Sequence, residues 1–415
     1  MRLRPTLIRR GSGAGDIDLP EPPEPRWGAP AADAEIPAAA AVPAVVPVAV
    51  PVDFPATAPK QPDAVEAVEA GQVGELDRTS TRGASAHTHG PMRLGVIDIG
   101  SNTVHLLVVD AHRGGQPQPA ASVRVPLRLV ELLDSEGRLS DNGERALTDC
   151  IHELRTHAQD LNVVDLVAFA TSAVREAPDG DAVLARLRAD TGLSVTVLPG
   201  EAEARLTFLA VRRWLGWSAG RLLALDIGGG SLEIGAGMHE DPDVVASLPL
   251  GASRLARNWL GENDPPKRAE LSELRRYVRA QIAPVVGSLY SVGEPTRAVA
   301  TSKTFRSLAR IAGAEPYGRG PYVRRVLRRA DLVDVTARVC RMSVAERAAL
   351  PGVSVSRAGQ LIAGAVVASE ALDLLNLDEV EICPWALREG VILRRLDLLT
   401  SGLDGPRALP PVAGG

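Results

Sequence analysis

Cysteine is scarce in this sequence. Cys150, Cys340 and Cys383 stand far apart along 415 residues. An odd and widely spaced set of thiols gives neither a disulfide framework nor a zinc site. The seven histidines show no metal-ligand spacing either. These absences predict a protein of a reducing compartment, which we expect to be the cytoplasm.

Long apolar runs and excess positive charge are also missing. The most apolar stretch, residues 38–52, is short and interrupted by prolines, so we expect no membrane span there. The net charge is −5, and lysine is limited to Lys60, Lys267 and Lys303. Nothing global therefore attracts nucleic acid or a membrane surface. Any site for a polyanion must be a local basic patch, built mostly of arginine.

Residues 1–91 differ in composition from the rest of the chain. They are crowded with proline and alanine and show neither helical nor strand periodicity. Such a segment cannot bury enough apolar surface to offset its conformational entropy, so we expect a disordered or polyproline-like tail. The alternative is that Met92 is the true start of the protein. We expect domains at 92–217 and 218–400, with the last helix packing back on the first domain, and a flexible tail at 401–415.

A strand, a glycine-rich turn and a second strand follow one another in LLALDIGGGSLEI, residues 222–234. Asp226 lies near the end of the first strand. The turn consists of Gly228, Gly229, Gly230 and Ser231. Backbone without Cβ atoms lets another group approach, its N–H groups can converge on a phosphate, and Asp226 can hold hydrated Mg²⁺. For one such loop alone, a glycine-rich hairpin in an ordinary sheet is the alternative.

The same layout occurs a second time, in VIDIGSNTVHLL, residues 96–107. Asp98 takes the place of Asp226, and Ser101, Asn102 and Thr103 occupy the turn. Two copies indicate an internal duplication in which two phosphate-binding loops face one cleft. The duplication makes the ordinary-hairpin interpretation much less favourable.

Periodicity predicts several further elements. A helix is expected from the Ser140 region to about Asp160, and a strand over residues 123–133. Another strand, residues 163–170, runs into small hydroxyl residues and Arg175. That sequence suits an anion site at the mouth of a sheet, or else an ordinary helix cap with a solvated arginine.

The roles of three sets of charged residues stay open. Glu201 and Glu203 begin a predicted helix, where they either complement the helix dipole, worth about 0.3–1 kcal/mol, or place one carboxylate in the cleft as a general base. Lys303 and Arg306 either reach an anionic substrate or lie at a solvated helix start. The arginines of residues 319–329 form either a polyanion track or a solvated face.

Six motifs, in order, resemble the exopolyphosphatase / guanosine pentaphosphate phosphohydrolase (Ppx/GppA) family of the actin-like ATPase and sugar kinase superfamily. They are VIDIGSNTVHLL (96–107), ATSAVREA (170–177), GEAEARLTFL (200–209), LDIGGGSLEI (225–234), LPLGASRL (248–255) and CPWALREGVIL (383–393). The resemblance implies an α/β fold class, with two ribonuclease-H-like (actin-like) domains and an active-site cleft between them. It is closest to the short, two-domain form of the family, in which homodimers are common.

The resemblance also implies a chemistry: release of terminal orthophosphate from inorganic polyphosphate, with short chains as the expected substrate. Glu203 matches the glutamate that activates water. Asp98, Asp226 and Glu233 match acidic residues that bind Mg²⁺ (or Mn²⁺) or its waters. The residues matched to substrate or phosphate binding are Ser101, Asn102, Thr103, Arg175, Gly228, Gly229, Gly230 and Ser231.

Two other functions stay open at this point. Hydrolysis of guanosine pentaphosphate uses the same site and differs only in the substrate. A nucleotide- or alarmone-binding regulator with little turnover belongs to another class. The loop Thr301–Lys303, which departs from the family's usual sequence, and the unusual tail favour it. The retained Glu203 argues against such a regulator.

Overall fold

The computed structural model of the chain describes residues 92–261 and 263–400. The tails predicted at 1–91 and 401–415 lie outside these residues. Within the two described ranges the chain forms two β-sheets with helices against them. No helix in these ranges is long and apolar enough to cross a bilayer.

The first sheet begins at the start of the described chain. Its strands are β1 (Met92–Ile99), β2 (Val104–Ala111), β3 (Gln118–Val125), β4 (Asp165–Ala170) and β5 (Val195–Val197), in the order β3-β2-β1-β4-β5. β1, β2 and β3 pair antiparallel, whereas β4 and β5 continue the sheet in parallel. The helices of this half are α1 (Asp141–Asp160), α2 (Ser172–Arg175), α3 (Gly180–Thr191) and α4 (Gly200–Leu215).

The second sheet repeats this topology with one added edge strand. Its strands are β6 (Leu222–Ile227), β7 (Leu232–Gly237), β8 (Val244–Leu248), β9 (Arg297–Ala300), β10 (Val326–Arg328) and β11 (Glu379–Ile382), in the order β10-β11-β9-β6-β7-β8. The antiparallel strands β6, β7 and β8 correspond to β1, β2 and β3, and the parallel strands β9 and β11 correspond to β4 and β5. The repeat seen in the sequence is thus also a repeat of topology.

The second half contributes the remaining helices of the described ranges. They are α5 (Ala252–Trp259), α6 (Arg268–Ser291), α7 (Ser302–Ile311), α8 (Arg329–Val339), α9 (Val344–Ala348), α10 (Leu361–Leu374) and α11 (Leu387–Thr400). Helix α10 is buried along nearly all of its length, among α5, α6, α7 and α8. Its small and apolar residues fit this central position, because a helix that is apolar all round needs neighbours on every side.

Helices α4 and α11 lie between the two sheets. α4 follows the first sheet in the chain but packs against β6, β7 and β8, whereas α11 follows the second sheet and packs against β1 and α4. One apolar cluster joins Leu206 of α4 and Val391 of α11 to Leu94 of β1. Each half therefore contributes a helix to the core of the other. The domain boundary near residue 217 stays a prediction.

Helix α1 agrees with the sequence-based expectation. The hydroxyl oxygen of Ser140 accepts a hydrogen bond from the Gly143 N–H at 3.2 Å, which satisfies one of the free donors at the helix start. Leu147, Ile151 and Leu154 are fully buried. The boundary was predictable because the cap and the apolar period of the helix are both local signals.

The strand predicted over residues 123–133 is wrong in extent. β3 ends at Val125, and residues 129–131 form a short 3₁₀ helix. Pro126 lies between them and has no N–H for a strand ladder. β3 is an edge strand with mostly exposed side chains, so its first residues lack the apolar pattern that marks a buried strand.

Candidate active site

A cavity of about 700 Å³ lies between the two halves of the molecule. Its volume is typical of small-molecule sites. Ten of the residues predicted from the sequence line it: Asp98, Ser101, Asn102, Thr103, Glu203, Asp226, Gly228, Gly229, Ser231 and Glu233. Gly230 and Arg175 do not line the cavity but support residues that do. The structure thus brings the sequence-predicted residues together in one cleft.

The two glycine loops share one turn geometry. The Gly100 N–H donates to the Thr103 carbonyl at 3.2 Å, and the Gly228 N–H donates to the Ser231 carbonyl at 2.9 Å. These two amides close their own turns, so they are not donors for a ligand. Any phosphate contact from the backbone must come from the other amides of each loop.

The loops touch each other across the cleft. A Cβ atom on Gly229 would lie 3.0 Å from the Ser101 Cβ. The Ser101 hydroxyl is 3.1 Å from that of Ser172, which also lines the cleft. A Cβ atom on Gly230 would overlap the Ser172 side chain, so this close packing requires glycine there.

Corresponding segments follow β4 and β9. Thr171 precedes α2 with φ −116° and ψ −152°, and Thr301 precedes α7 with φ −118° and ψ −154°. Their N–H groups bind the Ile99 and Leu225 carbonyls at 3.2 and 2.8 Å. The duplication therefore extends from the glycine loops to the strand ends that flank them.

Asn102 connects the two halves directly. Its side-chain amide donates to the Ser253 hydroxyl at 2.9 Å and lies 3.4 Å from the Gln360 side-chain oxygen. Ser253 also hydrogen-bonds Gln360. This network fixes the first glycine loop against α5 and the start of α10.

Four carboxylates, those of Asp98, Glu203, Asp226 and Glu233, are grouped on one wall of the cleft. Burial raises the pKa of each. Their mutual repulsion adds to this, because the charge of Glu203 raises the pKa of Glu233, and Asp98 and Asp226 raise that of Glu203. Buried like charges favour binding of a cation or a proton.

Glu203 lies in the first turn of α4, and its side chain is 8% exposed. Arg175 binds its carboxylate and also donates to the Leu198 carbonyl at 2.7 Å, which holds the guanidinium in place. Burial raises the pKa of Glu203 to about 7, against the opposing effect of Arg175. A carboxylate that titrates near neutrality can act as a general base. Glu201, in the same turn, is exposed.

Carboxylate oxygens are the donors that Mg²⁺ prefers, and Asp98, Asp226 and Glu233 supply them. Asp98 accepts a hydrogen bond from Arg388 at 3.1 Å, and Asp226 accepts one from Thr301. In residues 92–261 and 263–400 no group of three or more Asp, Glu, His or Cys side chains is placed to hold a metal ion directly. Mg²⁺ keeps several waters and takes one or two carboxylates, so this donor set fits it.

Much of the remaining cleft lining is basic. We define the basic wall as Arg124, Lys303, Arg306, Arg357 and Arg388. Arg310 and Arg325 also line the cavity, but each donates to a backbone carbonyl. Among the described residues, only Arg388 of these five has a carboxylate partner, Asp98. Burial and the neighbouring positive charges lower the pKa of Arg357 and of Lys303.

The basic wall has unused donors. The Nε atoms of Arg306 and Arg388 are buried and have no hydrogen-bond partner within the described part of the chain. A buried donor without a partner is unfavourable, and a phosphate oxygen is a strong acceptor for a guanidinium. The wall is therefore suited to an anion with several charges.

His105 belongs to the cleft as well. Its side chain is buried, and its Nε2 lies 2.8 Å from the Ser122 hydroxyl oxygen. Burial and the nearby Arg388 and Arg124 lower the pKa of His105 to about 2, so the imidazole is neutral. His105 lies in the apolar run that follows the first glycine loop, and nothing in the sequence indicates that it faces the site.

The sequence found only part of the basic wall. Lys303 and Arg306 were candidates because they follow a strand that enters the site. Arg124, Arg357 and Arg388 come from β3, from the segment before α10 and from α11. The one local signal for Arg388 was its place in the motif CPWALREGVIL.

The arginines of residues 319–329 do not form a polyanion track. Arg324 and Arg329 pair with acidic side chains of the same half, Glu379 at 3.1 Å and Asp378 at 2.9 Å. Arg325 is buried and donates to backbone carbonyls, among them that of Glu315 at 2.8 Å. The solvated-face interpretation fits Arg324 and Arg329, whose charges are already paired, whereas Arg325 is buried and lines the cleft.

The contact between Arg175 and Glu203 gives a testable pH dependence. Arg175→Gln removes the cation that lowers the pKa of Glu203, so that pKa should rise above about 7. Because a general base acts when deprotonated, the acidic limb of kcat/KM should move to higher pH. The measurement is a pH profile of phosphate release.

Arg186→Gln is the matched control, since Arg186 pairs with Glu144 on the outside of the same half at 2.5 Å. Its pH profile should follow that of the unmodified protein. A uniform drop of activity for Arg175→Gln, with the acidic limb unmoved, would instead assign Arg175 a purely structural role.

Comparison with known proteins supports this description. Residues 108–399 match the Ppx/GppA phosphatase family. A Mycobacterium tuberculosis protein named Exopolyphosphatase 1 is 53% identical over 311 residues, which cover 75% of this chain and 90% of that protein. An Aliivibrio fischeri protein named guanosine-5'-triphosphate,3'-diphosphate pyrophosphatase is 26% identical over 309 residues, which cover 74% of this chain and 60% of that protein.

Solved structures share the fold. An exopolyphosphatase from Cytophaga hutchinsonii has a TM-score of 0.67 at 24% identity, covering 74% of this chain and 98% of that one. The Aquifex aeolicus PPX-GPPA enzyme has a TM-score of 0.62 at 26% identity, covering 73% and 99%. The predicted fold class, with two actin-like domains, is confirmed. Because the family match spans most of its length, the chain belongs to the Ppx/GppA phosphatase family.

Proposed function

We propose that this protein is an exopolyphosphatase. It hydrolyses the terminal phosphoanhydride bond of inorganic polyphosphate and releases orthophosphate. The observation that carries the proposal is the composition of the cleft: the buried Glu203, whose pKa burial raises to about 7, shares one cavity with the five cations of the basic wall. The relative named Exopolyphosphatase 1, at 53% identity, supports the same substrate.

The reaction needs a positioned water and stabilised negative charge. In our proposal the deprotonated Glu203 accepts a proton from the attacking water, and Arg175 holds the carboxylate in place. The glycine loops supply backbone donors, with Ser101 and Ser231 beside them on the cleft lining. The basic wall binds the phosphates that follow the terminal one.

We propose Mg²⁺, or Mn²⁺, as the cofactor. Asp98, Asp226 and Glu233 would hold it or its waters, and bound Mg²⁺ would neutralise charge on the phosphoryl oxygens. Burial is the largest cause that raises the pKa of these three carboxyl groups, and a bound divalent cation would offset that effect, which supports the proposal.

The deciding experiment compares phosphate release with Mg²⁺ from short polyphosphate, long polyphosphate and guanosine pentaphosphate, measured side by side. We expect polyphosphate to turn over faster than the nucleotide. The preference for short chains stays a prediction, and the same measurement tests it.

Faster turnover of guanosine pentaphosphate would replace the proposal with its alternative, a pentaphosphate 5'-phosphohydrolase. The name of the Aliivibrio fischeri relative contains a guanosine nucleotide, which supports this alternative. Tight binding of either ligand without turnover would favour a nucleotide- or alarmone-binding regulator. Cytoplasmic location and a homodimer stay predictions.

The basic wall makes a prediction about substrate affinity. Arg357→Met removes a partly buried cation that neighbouring cations repel. We expect KM for tripolyphosphate to rise about tenfold, the loss typical of one charge-assisted hydrogen bond, while kcat changes little. Thermal stability should hold or increase, because a repulsive charge is gone.

The control is Arg341→Met, since Arg341 is exposed and does not line the cleft. It should leave KM unchanged. An unchanged KM for Arg357→Met would exclude Arg357 from substrate binding. Steady-state kinetics at two salt concentrations also tests the charge effect, because screening weakens it.

A further inference from the structure

A second cavity, of about 900 Å³, lies apart from the catalytic residues. It is bounded by the hairpin between β2 and β3, the end of α4, residues 321–324 and α11. None of the four clustered carboxylates lines it. The proposed exopolyphosphatase reaction therefore gives this cavity no role.

Aromatic side chains are concentrated here. Aromatic residues make up 3% of the chain, and three of its five tryptophans, Trp214, Trp217 and Trp385, line this one cavity. Tyr322 lies nearly parallel to Trp214, with ring centroids 5.2 Å apart and 17° between the planes. Trp385 packs against Trp214 from another direction, with centroids 5.3 Å apart. The cavity thus contains a preformed stack of aromatic rings.

Two of these rings are left in solvent. Trp217 is 77% exposed and Tyr322 is 75% exposed. The side of Tyr322 away from Trp214 is therefore open to another ring. Exposed aromatic surface gains free energy when a flat apolar surface covers it, which favours stacking of a planar ligand.

The polar groups around the cavity indicate which chemical class of ligand it can bind. Arg213 lies on the lining with its guanidinium bound to Glu240 and Asp397, each at 2.7 Å, and the hydroxyl of Tyr322 donates to the Gln116 side chain at 3.0 Å. Carboxylate and amide groups thus lie beside the aromatic stack, and such groups can hydrogen-bond the edge of a heteroaromatic base but not a hydrocarbon ring. Arg113, on the hairpin, is exposed and has no ion-pair partner in the described ranges, so it suits a phosphate.

We propose that this cavity binds a nucleotide, with its base stacked on Tyr322 and Trp217 and its phosphate near Arg113. The site is separate from the catalytic cleft, but the two share a wall. Tyr317 and Arg325 line the cleft, and residues 321–324 of the same segment line the second cavity.

The test uses guanosine 5'-monophosphate and adenosine 5'-monophosphate, which contain no phosphoanhydride bond for the cleft to hydrolyse. Binding to the full-length protein is measured by isothermal titration calorimetry. Ribose 5-phosphate, which has the sugar and phosphate but no base, is the control ligand. We expect saturable binding of at least one monophosphate, and none of ribose 5-phosphate at the same concentrations.

Variants locate the site. Tyr322→Ala and Trp217→Ala should each weaken binding about tenfold or more, the usual loss for one stacked base. Tyr322→Phe keeps the ring but loses the hydroxyl, so it should bind within about twofold of the unmodified protein. Val355→Ala changes an exposed residue that does not line the cavity and should have no effect. Phosphate release without nucleotide should be unchanged in all four variants.

Several outcomes would overturn the proposal. One is the absence of saturable binding, and another is binding that survives in both alanine variants. Displacement of the monophosphate by tripolyphosphate, in the Glu203→Gln variant, would place it in the catalytic cleft instead. A change of oligomeric state in Trp217→Ala or Tyr322→Ala would show that a second copy of the chain covers these rings. None of these results bears on whether polyphosphate is the substrate.

Discussion

Glu203→Gln should abolish most of the turnover, with a loss of more than about 10²-fold, while substrate binding persists. A general base contributes about 10² to 10⁴ in rate, and glutamine cannot accept the proton from water. The side chain keeps its size and can still accept a hydrogen bond from Arg175, so the cleft keeps its shape. Phosphate release gives the rate, and calorimetry with tripolyphosphate gives the affinity.

Glu201→Gln is the matched control for this substitution. Glu201 lies in the same first turn of α4 but is exposed, so its removal should leave the rate within about twofold. If Glu203→Gln retains its activity, the base lies elsewhere. The next candidate is Glu233, whose carboxylate is buried and accepts a hydrogen bond from Ser247 at 3.1 Å.

Gly390→Ala should destabilise the fold by about 3 kcal/mol or more, at or beyond the usual range for overpacking. Gly390 lies on α11 where this helix crosses α4. A Cβ atom there would overlap the Leu206 carbonyl oxygen and lie 2.6 Å from the carbonyl carbon. Backbone atoms cannot rotate away as a side chain can, so the two helices would have to separate.

The same substitution at Gly287 should have the opposite effect on the stability of the fold. Gly287 lies inside α6, where a Cβ atom meets nothing within 4 Å. Alanine there should stabilise by about 0.5–1 kcal/mol, because it reduces the freedom of the unfolded chain. Thermal unfolding of both variants is the measurement. Equal melting temperatures would show that the crossing of α4 and α11 tolerates the added methyl group.

Gly390→Ala should also lower the activity of the protein that remains folded. Leu206 is one turn from Glu203 on α4, so a displaced helix moves the proposed base relative to Arg175. Phosphate release measured well below the melting temperature of the variant tests this. Full activity there would show that α4 shifts without moving its first turn.

The sequence predicts the parts of this molecule whose signals are local. Asp98 and Asp226 each stand near the end of an apolar strand before a glycine turn, and this pattern occurs twice. This repeated pattern predicted both glycine loops, the internal duplication and the cleft that the loops face. The predicted helix around residues 141–160 depended in the same way on a cap and an apolar period within one segment.

Side chains that reach the site from distant elements were not predictable in this way. Arg388 contacts Asp98 across 290 positions of sequence. Nothing near Arg357 or Arg124 distinguishes either from an ordinary surface arginine. By contrast, the dense cluster at 319–329 suggested a polyanion track, but Arg324 and Arg329 are paired with neighbouring carboxylates and Arg325 donates to backbone carbonyls. The density of a charge in the sequence does not show whether it has a partner in the fold.

The exchange of helices between the halves has a consequence for synthesis. A chain emerging from the ribosome completes β1 to β5 early, yet one of the two apolar faces of β1, that of Leu94 and Val96, is covered by α11, which ends at Thr400. Leu94 and its neighbours must therefore wait for almost the whole described chain before their core is complete. The first half should be the later of the two to gain protection from proteases, although it is made first.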